Sequence, residues 1–126
     1  MIKTLVNTAT APAPIGPYNQ AILCGDMLFI SGQIALKPGS TILMNKDIIE
    51  ETHQVMKNLQ SILLEAKMNF NNVVKTTIFL SDMELFNHVN DIYGSYFDKD
   101  FHARESVSVR GLPKNANVEI SMIAVH

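Results

Sequence analysis

The sequence predicts an α+β two-layer sandwich, ordered β-β-β-α-β-α-β-β, with two helices on one face of a mixed sheet. Three observations predict it. Ile48, Thr52, Val55, Met56, Leu59, Ile62, Leu63 and Ala66 recur at steps of three and four, the spacing of one helix face. Val118, Ile120, Met122 and Ala124 recur at steps of two, the strand period. Between them, a run rich in β-branched residues, Val73–Leu80, separates the first helical pattern from a second, shorter one. Two helices cover one side of a sheet, so the other side needs a cover from outside the chain, and a second copy is the simplest.

In chain order, residues 2–7 form a short strand. Residues 8–17 form a loop, because Pro12, Pro14 and Pro17 each remove a backbone donor and Gly16 relaxes the chain. Residues 18–24 alternate as a strand, Gly25-Asp26 is a two-residue turn signal, and residues 27–30 return as the hairpin partner. Ser31-Gly32 ends or bulges that strand. Residues 36–45, centred on Pro38-Gly39-Ser40, are irregular. The helix over 47–66 opens on Asp47 with Glu50 following, a capping-box-like start, and Asn69 is its left-handed stop. Ser81-Asp82-Met83-Glu84 caps a second helix from about Met83 to Phe97, with Leu85, Phe86, Val89, Ile92, Tyr93 and Tyr96 on its buried face. Ser106-Val107-Ser108-Val109 alternates as a strand, and Gly111, Pro113 and Asn115 make the turn after it. In the last strand the face carrying Glu119, Ser121, Ile123 and Val125 is mixed, as expected of a side that packs on a partner while leaving room for a carboxylate.

Whole-chain properties bound the function. The 126 residues fit one domain, 1–126. Hydrophobic content of 47% with 17% charge fits a globular protein, and that apolar fraction in so small a chain points to self-association. A net charge of −2 lacks the basic stripe that nucleic-acid binding needs. A lone Cys24 allows no intrachain disulfide, fits a reducing compartment, and reads as a small strand hydrophobe rather than a nucleophile. No apolar run reaches the roughly 18 residues of a membrane span, and residues 1–6 lack the layout of a secretion signal, so a cytoplasmic location is expected. His53, His88, His102 and His126 have no metal-ligand spacing, and His53 reads as a solvated helix residue. No Gly-rich phosphate loop, Ser-His-Asp set or Cys-x-x-Cys pair is present.

Four blocks carry a family resemblance: Ile15-Gly16-Pro17-Tyr18-Asn19-Gln20-Ala21, Ile30-Ser31-Gly32-Gln33-Ile34, Val74-Lys75-Thr76-Thr77-Ile78-Phe79-Leu80, and the closing stretch with Ala103-Arg104, Leu112-Pro113-Lys114 and Val118-Glu119-Ile120. In this order, spanning most of the chain, they resemble the Rid family, also called YjgF. The resemblance implies a chorismate-mutase-like fold assembled as a homotrimer, with ligand clefts between neighbouring subunits.

The candidate site residues have a physical reading beside the implied one. Arg104 by itself reads as a surface arginine after a loop; as a permanently charged fork it also matches the two oxygens of a carboxylate, and the resemblance implies that role. Glu119 by itself reads as an outward sheet residue; in a cleft shared with Arg104 it would stay ionised and orient a water, which the resemblance implies. Tyr18 is a half-buried strand aromatic or a cleft wall whose hydroxyl meets the ligand. Ser31 and Gly32 form a bulge, or offer backbone donors where a missing side chain lets a ligand approach. Asn90 caps a nearby loop or lines the site, and Ser106 stands where the family often has cysteine. Two departures stand out: His102 replaces the usual proline before the Ala-Arg pair, and Glu105 places an anion beside Arg104, where it competes with a substrate carboxylate if it points inward.

The function this implies is hydrolytic deamination of reactive enamine/imine intermediates such as 2-iminobutanoate and 2-iminopropanoate. The products are 2-oxo acids and ammonia, with Arg104, Glu119 and Tyr18 as the chemical centre and no cofactor required. The competing readings are an endoribonuclease or translation inhibitor, and a non-catalytic metabolite-binding or chaperone-like protein.

Overall fold

The computed structural model describes residues 2–126. Strands β1 (Lys3–Val6), β2 (Ala21–Cys24) and β3 (Met27–Gln33) lead into helix α1 (Ile48–Glu65). Strand β4 (Val73–Leu80) is followed by a short 3-10 turn, Met83–Leu85, and helix α2 (Phe86–Gly94); β5 (Ala103–Ser108) and β6 (Val118–Val125) close the chain. The order is the expected one. The strands form one sheet, β1-β2-β3-β6-β4-β5. β4 and β5 are parallel and all other neighbours antiparallel, so the sheet is mixed and both helices lie on one face.

The core sits between α1 and the face of the sheet carrying Leu28, Ile30, Ile78, Leu80, Val118, Ile120, Met122 and Ala124, all buried. From α1 come Val55, Met56, Leu59, Ile62 and Leu63, the predicted stripe. Asp47 caps α1 by accepting the Glu50 amide at 2.8 Å. Glu51 is fully buried on the same helix and accepts the backbone and side-chain amides of Asn117 at 2.7 and 2.9 Å, tying α1 to the turn before β6. Buried Asn58 donates to the carbonyls of Ile34 and Leu36 and so anchors the irregular segment after β3. Gly25 takes φ 62° in the β2–β3 hairpin, a conformation suited to glycine.

Four expectations need correction. Residues 18–20 are not strand: the Tyr18 amide turns back to the Gly16 carbonyl at 2.9 Å. Buried Gln20 instead bonds the loop, its Nε2 donating to the carbonyls of Thr8, Ala11 and Pro12. The left-handed residue after α1 is Lys67, at φ 60°; Asn69 is extended and caps the 3-10 turn Phe70–Asn72. The second helix is shorter than 83–97, because its entry is a 3-10 turn and the amides of Ser95, Tyr96 and Phe97 bond carbonyls three residues back. His53 is not merely solvated: its Nδ1 lies 2.7 Å from the Tyr96 hydroxyl.

The other face of the sheet is uncovered. Register places Leu5, Ile22, Phe29, Ile123, Phe79 and Val107 there, with Leu5 63%, Phe29 43% and Val107 44% exposed. Such an apolar band is the surface expected to meet another chain.

Candidate functional site

The strand registers decide where the candidate residues stand. On β4, Thr76 faces Arg104 of β5 and Phe79 faces Glu119 of β6. These two β4 residues are an odd number apart, so their neighbours lie on opposite faces of the sheet. Arg104 therefore points to the helix side and Glu119 to the open side. The expectation that guanidinium and carboxylate share a pocket fails within a single chain, because β4 lies between β5 and β6. The structure divides the candidates into two groups.

The first group is built by the edge strand β5 and by α2. The Arg104 guanidinium rests against two rings, 5.2 Å from the Tyr93 centroid and 5.7 Å from that of Phe86, a cation–π arrangement. No carboxylate pairs with it among the described residues. Ser106, one strand period on, shares a concavity with Arg104, Phe86 and Asn90. Its Oγ is buried with no hydrogen-bond partner, a group that native proteins rarely leave unsatisfied. On the other flank of Arg104, Asn90, Tyr93, Gly94, Phe101 and His102 complete a cavity of about 290 Å³. Asn90 thus lines both concavities. The Tyr93 hydroxyl donates to Thr76 Oγ1 at 2.9 Å and is also hydrogen-bonded to His102 Nε2. Burial pushes the Tyr93 phenol up to about 12. Burial and the Arg104 charge lower the His102 imidazole below its ordinary value.

The second group lies on the open face, where β3 bulges between Ile30 and Gln33. The Glu119 carboxylate folds over Gly32 so closely that a Cβ there would stand 2.6 Å from its Oε2. Burial pushes the Glu119 carboxyl up. Tyr18 and Gly32 line a shallow groove with Pro12, Pro14 and Gln33. The Tyr18 hydroxyl accepts the Ile15 amide at 3.3 Å, which leaves its own proton free to donate. Ser31 does not supply the expected donors: its amide bonds the Gln20 carbonyl at 2.9 Å and its hydroxyl the Asn19 carbonyl at 2.7 Å.

Glu105 does not plug the site. It stands opposite Thr77 on the open face, accepts the Thr77 hydroxyl, and pairs with Lys75 Nζ at 3.1 Å. Those contacts, Thr77 first, hold its carboxyl below its ordinary value. Sequence reasoning missed the roles of Tyr93 and Phe86 beneath the guanidinium. Both sit on the apolar stripe of the second helix, where a packing residue and a site wall look alike; His102 was visible as a departure, without a partner. No cluster of three or more metal-ligating side chains occurs among the described residues.

The chain is 44% identical to human 2-iminobutanoate/2-iminopropanoate deaminase over 125 residues, covering 99% of this chain and 91% of that protein. Among solved structures, YyfA of the conserved Rid protein family from Yersinia pestis superposes with a TM-score of 0.96 at 44% identity, covering 99% of this chain and all of that one. E. coli TdcF with bound serine superposes with a TM-score of 0.93 at 32% identity, covering 98% of each chain. A family model described as endoribonuclease L-PSP matches residues 8–126. With that match and those full-length likenesses, the chain belongs to the endoribonuclease L-PSP family, the Rid or YjgF proteins.

Proposed function

We propose that this protein is a hydrolytic deaminase of 2-imino acids and their enamine tautomers, such as 2-iminobutanoate and 2-iminopropanoate. The observation that carries the reading is the Arg104 guanidinium, paired with no carboxylate and open on a cavity of about 290 Å³, with the buried, unpartnered hydroxyl of Ser106 on its other flank. It suits a small organic acid that brings an anion and a hydrogen-bonding group together. The full-length likeness to a deaminase of that name supports the same substrate class.

The site is assembled from two copies of the chain. One supplies Arg104, Asn90 and Ser106; its neighbour supplies Glu119, Gly32 and Tyr18 across the open face. A homotrimer with a cleft at each junction, as the family resemblance implies, buries the exposed Leu5, Phe29 and Val107 and joins the two groups. Among the described residues no helix is long and apolar enough to cross a membrane, which accords with a cytoplasmic setting.

In the assembled cleft Arg104 grips the substrate carboxylate, and Ser106 and Tyr18 fix the imine end. Glu119 orients a water and takes its proton as the oxygen adds to the imine carbon. Glu119 returns that proton to the nitrogen, giving the carbinolamine; its hydroxyl proton then passes to the nitrogen as the C–N bond breaks, the C=O bond forms and ammonia leaves. Positioning supplies much of the acceleration in such chemistry, and the residues named require no cofactor.

The test couples a threonine dehydratase, which releases the imine, to detection of 2-oxobutanoate and ammonia. The protein should speed release above spontaneous hydrolysis. Arg104→Ala should lower kcat/KM by about a hundredfold or more, the loss expected for a shielded two-pronged carboxylate contact. No acceleration by the wild type overturns the reading. The matched family's description keeps RNA cleavage as a second reading; cleavage unchanged in Arg104→Ala, without imine hydrolysis, would establish it. Binding of 2-oxobutanoate that needs Arg104, without turnover, would make the protein a metabolite sensor instead.

A further inference from the structure

A guanidinium grips a carboxylate with two parallel bonds only when its plane is held at the right angle. Arginine has a long, freely rotating side chain, and fixing it carries an entropic cost unless the surface beneath it is already stiff. In this protein that surface is chiefly the Tyr93 ring, 5.2 Å from the guanidinium carbon.

The Tyr93 ring is held at its far end. Its hydroxyl donates to Thr76 Oγ1 on β4, so the phenol oxygen is left to accept from His102 Nε2, just before β5. His102 in turn packs on Phe97 with ring centroids 4.5 Å apart, and Phe97 on Tyr93 at 4.9 Å. The chain Thr76–Tyr93–His102 therefore links β4, α2 and the entry to β5 around Arg104. Only the tautomer with hydrogen on Nε2 completes it. Burial and the nearby guanidinium both favour the neutral ring, so the link adds no second cation to the grip.

We propose that Tyr93 and His102 are positioning residues for Arg104: their hydrogen-bonded chain to Thr76 fixes the ring on which the guanidinium rests and so sets the strength and angle of the carboxylate grip. The inference rests on the deaminase reading of Arg104 and deepens it.

Two measurements separate the inference from that reading. Calorimetric titration with 2-oxobutanoate reads the carboxylate grip without turnover, and the coupled imine assay reads KM and kcat. Tyr93→Phe keeps the ring and removes only the hydroxyl. His102→Leu removes the donor, and His102→Gln restores an amide N–H near the position of Nε2. The first two variants should weaken 2-oxobutanoate binding and raise KM by roughly three- to tenfold, the effect of one lost hydrogen bond, with kcat changed less than KM. His102→Gln should recover most of the affinity. Thermal unfolding of each variant shows whether the fold is intact. Tyr93→Phe binding 2-oxobutanoate as wild type does overturns the inference. So does a His102→Gln variant, folded as wild type, that is as impaired as His102→Leu. Failure of the wild type to hydrolyse the imine while it still binds 2-oxobutanoate overturns the deaminase reading alone, and the titrations then decide the inference.

Discussion

At Gly32 the absence of a side chain is a requirement set by another residue. A Cβ there would meet Glu119 Oε2, Cδ and Cγ at 2.6, 2.8 and 3.0 Å. Only the end of a flexible side chain stands in the way, so Gly32→Ala should fold and push the carboxylate aside. We expect kcat/KM for 2-iminobutanoate to fall by about tenfold or more, since small misplacements of a reacting group are costly, with the melting temperature little changed. Glu119 itself carries a pH-dependent penalty. Burial raises its pKa, so folding disfavours the charged form. Below its ordinary value of 4.5 the group is neutral folded and unfolded and the penalty is absent; it grows as pH rises through the raised folded value. For the separate chain Glu119→Gln should therefore melt higher than wild type at about pH 8 and lose that advantage at about pH 3.5; in the assembled cleft a neighbour's Arg104 favours the charged form and should shrink the difference, while imine hydrolysis falls. Melts with the same offset at both pH values would contradict this. The family resemblance singles out Gly32, Glu119 and Arg104; residue patterns alone leave them as a bulge, an outward sheet residue and a surface arginine. Neither could show that Arg104 and Glu119 face opposite ways, because that depends on β4 entering between their strands.

Elements with a clean period were legible; those shaped by side-chain bonds to the backbone were not. The stripe of α1 and the alternation of β6 are set by burial, which leaves its mark on composition. The segment 18–20 also alternates, yet Gln20 is buried there to bond loop carbonyls, and a period cannot tell that from a ladder. Glu51 makes the same point on α1: it sits beside the apolar stripe but is fully buried, receiving both Asn117 amides. Two substitutions on this helix should differ in cost. Asp47→Ala removes an exposed cap and should destabilise by about 1 kcal/mol. Glu51→Ala leaves two donors unsatisfied and should cost about 2–3 kcal/mol. Urea unfolding of both variants checks the order; a larger effect for Asp47→Ala would show that Asn117 finds other partners.

At the scale of the whole molecule, the uncovered face and the divided site have one explanation. A sheet with helices on one side leaves Phe29, Phe79, Ile123 and Val107 without cover, and the register that creates this face also sends Glu119 there and Arg104 away. In the assembly we propose, chains joined head to tail, each with its β5 edge near the next chain's open face, would hide the apolar band and bring the two groups together. This arrangement has a consequence that a site within one chain cannot share. Arg104→Ala and Glu119→Ala should each be inactive as pure assemblies. When the two are unfolded together and refolded as a mixture, some junctions will join an intact Arg104 from one variant to an intact Glu119 from the other. Random association makes about a quarter of the junctions whole, so the mixture should recover about a quarter of wild-type activity, and simple mixing without subunit exchange should recover none. Activity that stays at the level of the separate variants, in assemblies shown to contain both chains, would mean that Arg104 and Glu119 do not act on one substrate.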